Sequence, residues 1–594
     1  MKATGAEIII GILKNEGIST IAGIPGGSNL PLYDALGRSD IRHILARHEQ
    51  GAGFMAQGMA RSTGDVAVCF ATSGPGATNL LTAIADAKLD SIPIVAITGQ
   101  VPTGMLGTDA FQEIDTLGLS IPIVKHSVLI ERAEELLEEL PKAFRIARSG
   151  RPGPVLIDVP KDVQTQLVEF EAWPPAGQCD PLPSLAGKEL ALDEILALLA
   201  KSERPLVYAG AGCAASNASA MALRQFSASF GIPVVTTLMA FGAMSVGDPR
   251  WLGMLGMHGT RAANRAVSAC DLLVAVGSRF DDRASGKLER FAPNARVIHI
   301  DLDPAEIGKL RQVLVGLESD AGQALTALYE RSLRHPAASS AAERAGRQAW
   351  LETCTGDAAG ECEVSCAEDD HPVAFLRELF EHFDEDTIVT TDVGQHQMWA
   401  AQAWAETAGP GVRRFLTSGG LGTMGFGLPT AIGAALANPD KRVLCVTGDG
   451  SLLMNIQELA TLAELNLKVT VILMDNGQLG LVRQQQELFY GGRYTASLFG
   501  SRPDFAAIAR GFNVEGINLE ERILAGEESS AVLEDALSNE GPVFVRVNAN
   551  ALANVYPMVP PGGANDDAIG SYCVREPGGS SCCEESGEAE EAAG

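Results

Sequence analysis

Gly448-Asp449-Gly450-Ser451 is followed, after a further 24 residues, by Asn476. Each polar residue comes after an apolar, β-branched run, 443–447 and 469–474, of the kind that forms a buried strand. Two strand ends in one sheet would bring the Asp carboxylate and the Asn amide oxygen together. A hard cation such as magnesium suits that pair, because it takes few protein oxygens and fills its octahedron from phosphate and water. One backbone carbonyl added to the set still leaves positions for diphosphate oxygens and a water. Gly450 lets the backbone approach a phosphate, and Ser451 can open a following helix whose N-terminus favours anions. A GDG triplet alone also fits a plain strand–turn–helix with a solvated Asp; the spacing to Asn476 favours the metal.

A second candidate lies far upstream. His48-Glu49-Gln50-Gly51-Ala52 follows the strand-like run 44–46. Taken alone, Glu49 reads as a helix cap or a surface residue.

The elements that must position these residues repeat one pattern. Short β-branched runs such as 66–70 (VAVCF) and 94–98 (IVAIT) end in turn residues, as buried parallel strands do. The same pattern returns at 206–209, 272–276 and 297–300, and again at 388–390, 443–446 and 469–474. The fold class expected is α/β, with three doubly wound parallel-sheet domains. Their bounds are 1–165, 185–335 and 371–560, joined by a Pro-rich linker 166–184 and an Ala/Ser/Glu-rich linker 336–370 with a surface helix. Residues 561–594 are expected to form a disordered acidic tail. Ligands of such sheets sit at the carboxyl ends of the strands.

The 594 residues exceed one hydrophobic core and fit three domains. A formal net charge of −29 argues against nucleic acid or an anionic membrane as partner. Neither a cleavable leader nor an apolar span is read in the sequence, so a cytoplasmic location is expected. The 11 cysteines are expected to be reduced thiols. Cys354, Cys362 and Cys366, and the adjacent pair Cys582-Cys583, lack the C-x-x-C spacing that would argue for a metal.

GDGS-x24-N resembles the magnesium-binding motif of the thiamine-diphosphate enzymes. The resemblance implies Asp449, Asn476 and the backbone carbonyl of Gln478 as metal ligands, although the family often has Asn-Asn where this chain has Asp475-Asn476. It also implies that Glu49 hydrogen-bonds the cofactor's aminopyrimidine ring and activates it. Gln395 and His396 would then flank the diphosphate with Gly448, Gly450 and Ser451. Met424, in Ser418-Gly419-Gly420-Leu421-Gly422-Thr423-Met424-Gly425, would prop the cofactor in its bent shape, with Gly422 beside it.

From about residue 1 to 565 the chain looks like the acetolactate synthase catalytic subunits. The stretches that carry this likeness are Gly23-Ile24-Pro25-Gly26-Gly27, 99–113, 151–163, 485–490 and 556–561. The likeness implies a structural, non-redox FAD held by Arg151, Gly210, Gly212, Leu238, Met257, His258, Gly259, Gly277, Arg279, Asp281, Arg283 and Asp301. Gly27, Phe111, Gln112 and Lys161 would line the substrate side. The implied reaction decarboxylates pyruvate and transfers its hydroxyethyl unit to a second pyruvate or to 2-ketobutyrate, at the head of valine, leucine and isoleucine biosynthesis. A homodimer or homotetramer with sites between chains is implied, together with a small regulatory subunit. Gln485 departs from the commoner Trp, which implies a weaker preference for 2-ketobutyrate and reduced sulfonylurea sensitivity. The alternative is another thiamine-diphosphate carboligase, decarboxylase or acetyltransferase of the same fold.

Overall fold

The computed structural model describes residues 1–334, 341–356, 371–382, 386–407, 411, 412 and 414–570. Among them lie three six-stranded sheets in which every strand pair is parallel. A short antiparallel pair, β1 (Lys2–Thr4) with β8 (Leu167–Glu169), ties the two ends of the first domain.

The first sheet is built from β2 (Thr20–Gly23), β3 (Arg42–Leu45), β4 (Ala67–Ala71), β5 (Ile94–Gln100), β6 (His126–Leu129) and β7 (Val155–Pro160). Its spatial order is β3-β2-β4-β5-β7-β6. The third sheet contains β15 (Ile388–Thr391), β16 (Phe415–Thr417), β17 (Val443–Gly448), β18 (Val469–Asp475), β19 (Glu515–Asn518) and β20 (Val543–Asn548). Its order, β16-β15-β17-β18-β20-β19, repeats that of the first sheet strand for strand. The central sheet differs. Its strands β9 (Pro205–Ala209), β10 (Val234–Thr236), β11 (Trp251–Met254), β12 (Leu272–Val276), β13 (Arg296–Asp301) and β14 (Val315–Glu318) run β11-β10-β9-β12-β13-β14. That is the order of dinucleotide-binding sheets, with the switch point between β9 and β12.

The sequence explains these strands. β4, β5, β7, β9, β12 and β18 are buried at every residue, as strands covered by helices on both faces must be. The first and third domains also share a core. Helix Glu49–Thr63 packs against helix Gly427–Ala437, and the contact is backbone-close. A Cβ at Gly58 would lie 2.2 Å from the Thr430 carbonyl oxygen, and one at Gly433 would lie 2.0 Å from that of Met55. Only glycine permits that approach. Phe54 and Phe426 meet edge-to-face between the helices, 5.2 Å between ring centroids.

Three connecting segments pack against the domains they join. The linker 166–184 lies along the first domain, where the Gly177 N–H donates to Glu16 and the Asp180 N–H to Ser149. Helix Ala341–Gly356, within the second linker, turns one face into the central domain. There Arg347 is buried and donates to the carbonyls of Phe230 and Leu199. The expected tail starts too early. Residues 561–570 pack on the central domain through Lys287 N–H to the Gly563 carbonyl, Asn565 to Ala284, and Arg290 to Asp566 and Asp567. The acidic run beyond 570, with Cys582 and Cys583, lies outside the described residues, as do Cys362 and Cys366. Cys354 is buried in an apolar cluster. No described helix is long and apolar enough to cross a membrane.

Candidate active site

In the third sheet, Asp449 follows β17 and Asn476 follows β18, its direct neighbour. Backbone donors fix both carboxylate oxygens of Asp449. Oδ1 accepts from Gly450 N–H at 2.9 Å and Oδ2 from Gly477 N–H at 2.7 Å. Asn476 gives its amide N–H to Gln395 Oε1 at 3.1 Å, which turns its Oδ1 the other way, onto the Gln478 N–H at 3.2 Å. Gln395 is itself held by Gln484 and the Ala553 carbonyl.

The electrostatics ask for a cation. Asp449 is almost wholly buried, and that burial, with the neighbouring Asp475 carboxylate, pushes its pKa up to about 6. Arg546 pairs Asp475 at 2.8 Å, so its charge is already met. Asp449 is held by backbone N–H groups, and no cation pairs with it among the described residues. His396 completes the corner. It sits 2.6 Å from Asp392, and a Cβ at Gly448 would lie 2.6 Å from its Nδ1. Ser451 donates to the Val393 carbonyl at 2.9 Å, tying the post-β17 turn to the post-β15 turn across the switch point. Met424 approaches Gly450, its Cε 3.6 Å from where a Cβ would stand.

The first sheet places Glu49 at the start of helix Glu49–Thr63, capped by the His48 side chain. Asn79 donates to Glu49 Oε2 at 2.9 Å. Oε1 lies 3.4 Å from the position of a Cβ on Gly76, so that glycine keeps space open there. Gln112 is held close by, with a left-handed backbone (φ 59°) packed against Gly74. Phe111 projects outward and is 88% exposed, and Gly27 is exposed too. Lys161 opens the short helix after β7 and is half-buried.

At the switch point of the central sheet lies a cavity of about 720 Å³. That is within the ~300–1,000 Å³ typical of ligand pockets. Gly210 and Gly212, after β9, meet Gly277, after β12; a Cβ on Gly210 would stand 2.1 Å from the Gly277 carbonyl oxygen. Arg151, Leu238, Met257, His258, Arg279, Asp281, Arg283 and Asp301 line the cavity, and Gln485 and Gly422 reach it from the third domain. Burial holds the His258 imidazole neutral, its pKa lowered to about 4, and Nδ1 donates to the Pro557 carbonyl at 3.0 Å. Burial raises Asp301 to about 6. Thr237 and Ser278 also line the cavity, each with a buried hydroxyl oxygen lacking a hydrogen-bond partner.

Comparison with known proteins decides what these three sites belong to. Residues 3–119 match the thiamine pyrophosphate enzyme N-terminal TPP-binding domain, 192–328 its central domain and 392–547 its C-terminal TPP-binding domain. Acetolactate synthase isozyme 1 large subunit of Escherichia coli (strain K12) is 49% identical, covering 96% of this chain and 98% of that protein. Isozyme 2 large subunit of the same organism is 45% identical over 95% and 99%. A probable acetolactate synthase large subunit of Methanocaldococcus jannaschii is 46% identical over 94% of each chain. The chain belongs to the acetolactate synthase large subunits.

The cofactors of this thiamine pyrophosphate enzyme family are thiamine diphosphate, Mg2+ and FAD. The residues present fit all three. The Asp449 corner has oxygen donors and an unmet charge, and the central cavity has a glycine cradle and two orphaned hydroxyls. Of the residues expected at FAD, Gly259 stands behind the wall, where a Cβ would meet the Met254 carbonyl at 2.4 Å. Sequence reasoning missed Asn79, Asp392 and Thr237. Asp392 and Thr237 carry a signal, since each directly follows a strand of its sheet; Asn79 carries none.

Proposed function

We propose that this chain decarboxylates pyruvate and joins the two-carbon unit to a second pyruvate, giving 2-acetolactate, or to 2-ketobutyrate, giving 2-aceto-2-hydroxybutyrate. This is the first common step of valine, leucine and isoleucine biosynthesis. The observation that carries the reading is the Asp449 corner, where a buried carboxylate and an amide oxygen follow neighbouring strands and are each fixed by backbone and side-chain bonds.

Thiamine diphosphate, when bound, supplies the electron sink that lets the carboxylate depart as carbon dioxide. Asp449, Asn476 and the Gln478 carbonyl would hold the magnesium, and Gln395, His396, Gly448, Gly450 and Ser451 the diphosphate side. Glu49 moves the activating proton at Oε1, the oxygen that Asn79 leaves open. Met424 shapes the site from above Gly450. Gly27, Phe111, Gln112 and Lys161 frame the ketoacid. Gln485 offers little apolar surface to the extra methylene of 2-ketobutyrate, a group worth ~1–3 kcal/mol of discrimination in a matched pocket. FAD would occupy the central cavity as a structural group.

Glu49 and Asp449 belong to different domains, and Phe111, next to the Gln112 that packs on Gly74, is 88% exposed. In the proposed assembly a second chain closes this face, as a homodimer or homotetramer, with a small regulatory subunit as further partner. The location is cytoplasmic. Purified protein should be yellow and should form acetolactate from pyruvate only with thiamine diphosphate and Mg2+, with activity rising on added FAD. A colourless protein that releases acetaldehyde would replace this reading with a simple decarboxylase.

A further inference from the structure

Helix Glu49–Thr63 and helix Pro75–Asp90 bring their N-terminal ends to the Glu49 pocket. Their C-terminal ends carry a buried ion cluster, at the border of the central cavity, that has no part in the reaction proposed above. Arg61 donates through Nη2 to Asp86 at 3.0 Å and to Asp90 at 2.8 Å. Gln57 Oε1 accepts from Arg61 at 2.7 Å, and the guanidinium lies 4.9 Å over the Phe426 ring.

One cation and two carboxylates leave negative charge over, and the spare acceptors face the third domain. Asp90 accepts from Gly419 N–H at 3.0 Å and Gly420 N–H at 2.7 Å. Asp86 Oδ2 accepts from the Thr423 hydroxyl at 2.7 Å and from the Ser418 hydroxyl. With its proton committed to Asp86, the Ser418 oxygen accepts the Thr423 N–H at 2.8 Å and closes the loop on itself. Arg61 adds a bond to the Thr417 carbonyl at 3.0 Å. Met424 is the next residue. Burying such a cluster stabilises little, because desolvation offsets the attraction. What it fixes is geometry.

We propose that Asp86 and Asp90 are positioning residues that act through Ser418, Thr423 and the Gly419–Gly420 backbone to set Met424 against the cofactor site. The loop then meets the cofactor already ordered, so less binding energy goes into ordering it. The inference rests on the cofactor lying at the Asp449 corner.

Ser418→Ala and Thr423→Val remove the loop's half of the clamp and leave Arg61, Asp86 and Asp90 in place. FAD-loaded enzyme would be assayed for kcat, pyruvate KM, half-saturating thiamine diphosphate and melting temperature. Each variant should raise the half-saturating cofactor concentration and lower kcat by roughly 10-fold, the scale of a lost outer-shell contact. Pyruvate KM and melting temperature should stay near those of the parent, and Thr423→Ser, which keeps the hydroxyl, should restore both parameters. Asp86→Asn should reproduce the cofactor defect. Parent-like values in both loop variants beside a defective Met424→Ala overturn the inference alone. So does a cofactor defect that falls in step with melting temperature and is not rescued by Thr423→Ser. A parent-like Met424→Ala overturns the site reading beneath it.

Discussion

The first and third sheets share one strand order and use it in opposite ways. At the third, Asp449 is buried, both its oxygens are fixed by backbone N–H groups, and Asn476 is turned by Gln395. At the first, Glu49 is half-buried with one side-chain bond, and Phe111 stands almost fully exposed nearby. The difference teaches how labour is divided. One chain pre-organises the corner proposed for the metal by itself, which suits binding. The face proposed to move the proton is held less tightly, which suits the proposed site shared between chains.

That contrast breaks most sharply under substitution. Asp449→Ala should abolish magnesium-dependent cofactor binding, with activity down by on the order of 10³-fold or more, read by cofactor titration and turnover. Glu49→Gln should instead keep the cofactor and lose kcat by about 10²–10⁴-fold, the usual worth of a positioned proton carrier. If both variants lost cofactor binding alike, the two sheets would not have separate tasks. Gln485→Trp should raise the 2-ketobutyrate preference by about 10-fold in a competition assay, within the range of one methylene group.

A smaller effect probes the first sheet alone. Asp158 on β7 is buried and accepts from Thr98 at 2.6 Å and from Gln100 at 2.9 Å; Gln100 also donates to the Ile114 carbonyl, just past Gln112. Burial raises the Asp158 pKa from 3.8 to about 7. The folded state thus holds this proton more tightly than the unfolded chain, and its contribution to stability is lost as pH rises through about 7. Asp158→Asn, which mimics the protonated form, should gain stability relative to the parent between pH 5 and about 7 and level off above it. Urea unfolding across that window checks the sign; a difference that shrinks as pH rises would refute it.

Much of this was legible in the sequence because it is local. A β-branched run ending in Gly-Asp-Gly announces a strand and its ligand turn, and β17 and β18 fall where their runs lie. The three-domain α/β reading follows from the same repetition. Strand order is not local, so the identity of the first and third sheets and the dinucleotide order of the second were invisible until the chain was folded. Through-space partners were hidden likewise. Asn79 meets Glu49 across 30 residues, and Arg61 meets Asp86 and Asp90 across 25 and 29. The Gly- and Asp-rich segment 561–570 looked like tail because its composition is polar, yet its Asn565 is buried against the central domain.

Mixing the two strongest variants tests the shared site most directly. Glu49→Gln and Asp449→Ala chains would be co-expressed with different tags, and the doubly tagged species isolated and assayed for acetolactate formation. A site built from Glu49 of one chain and Asp449 of the other regains one intact copy in such a mixed dimer, so activity should return far above either parent variant. Activity no higher than that of the separate variants would contradict the account and place both residues in a site made by a single chain.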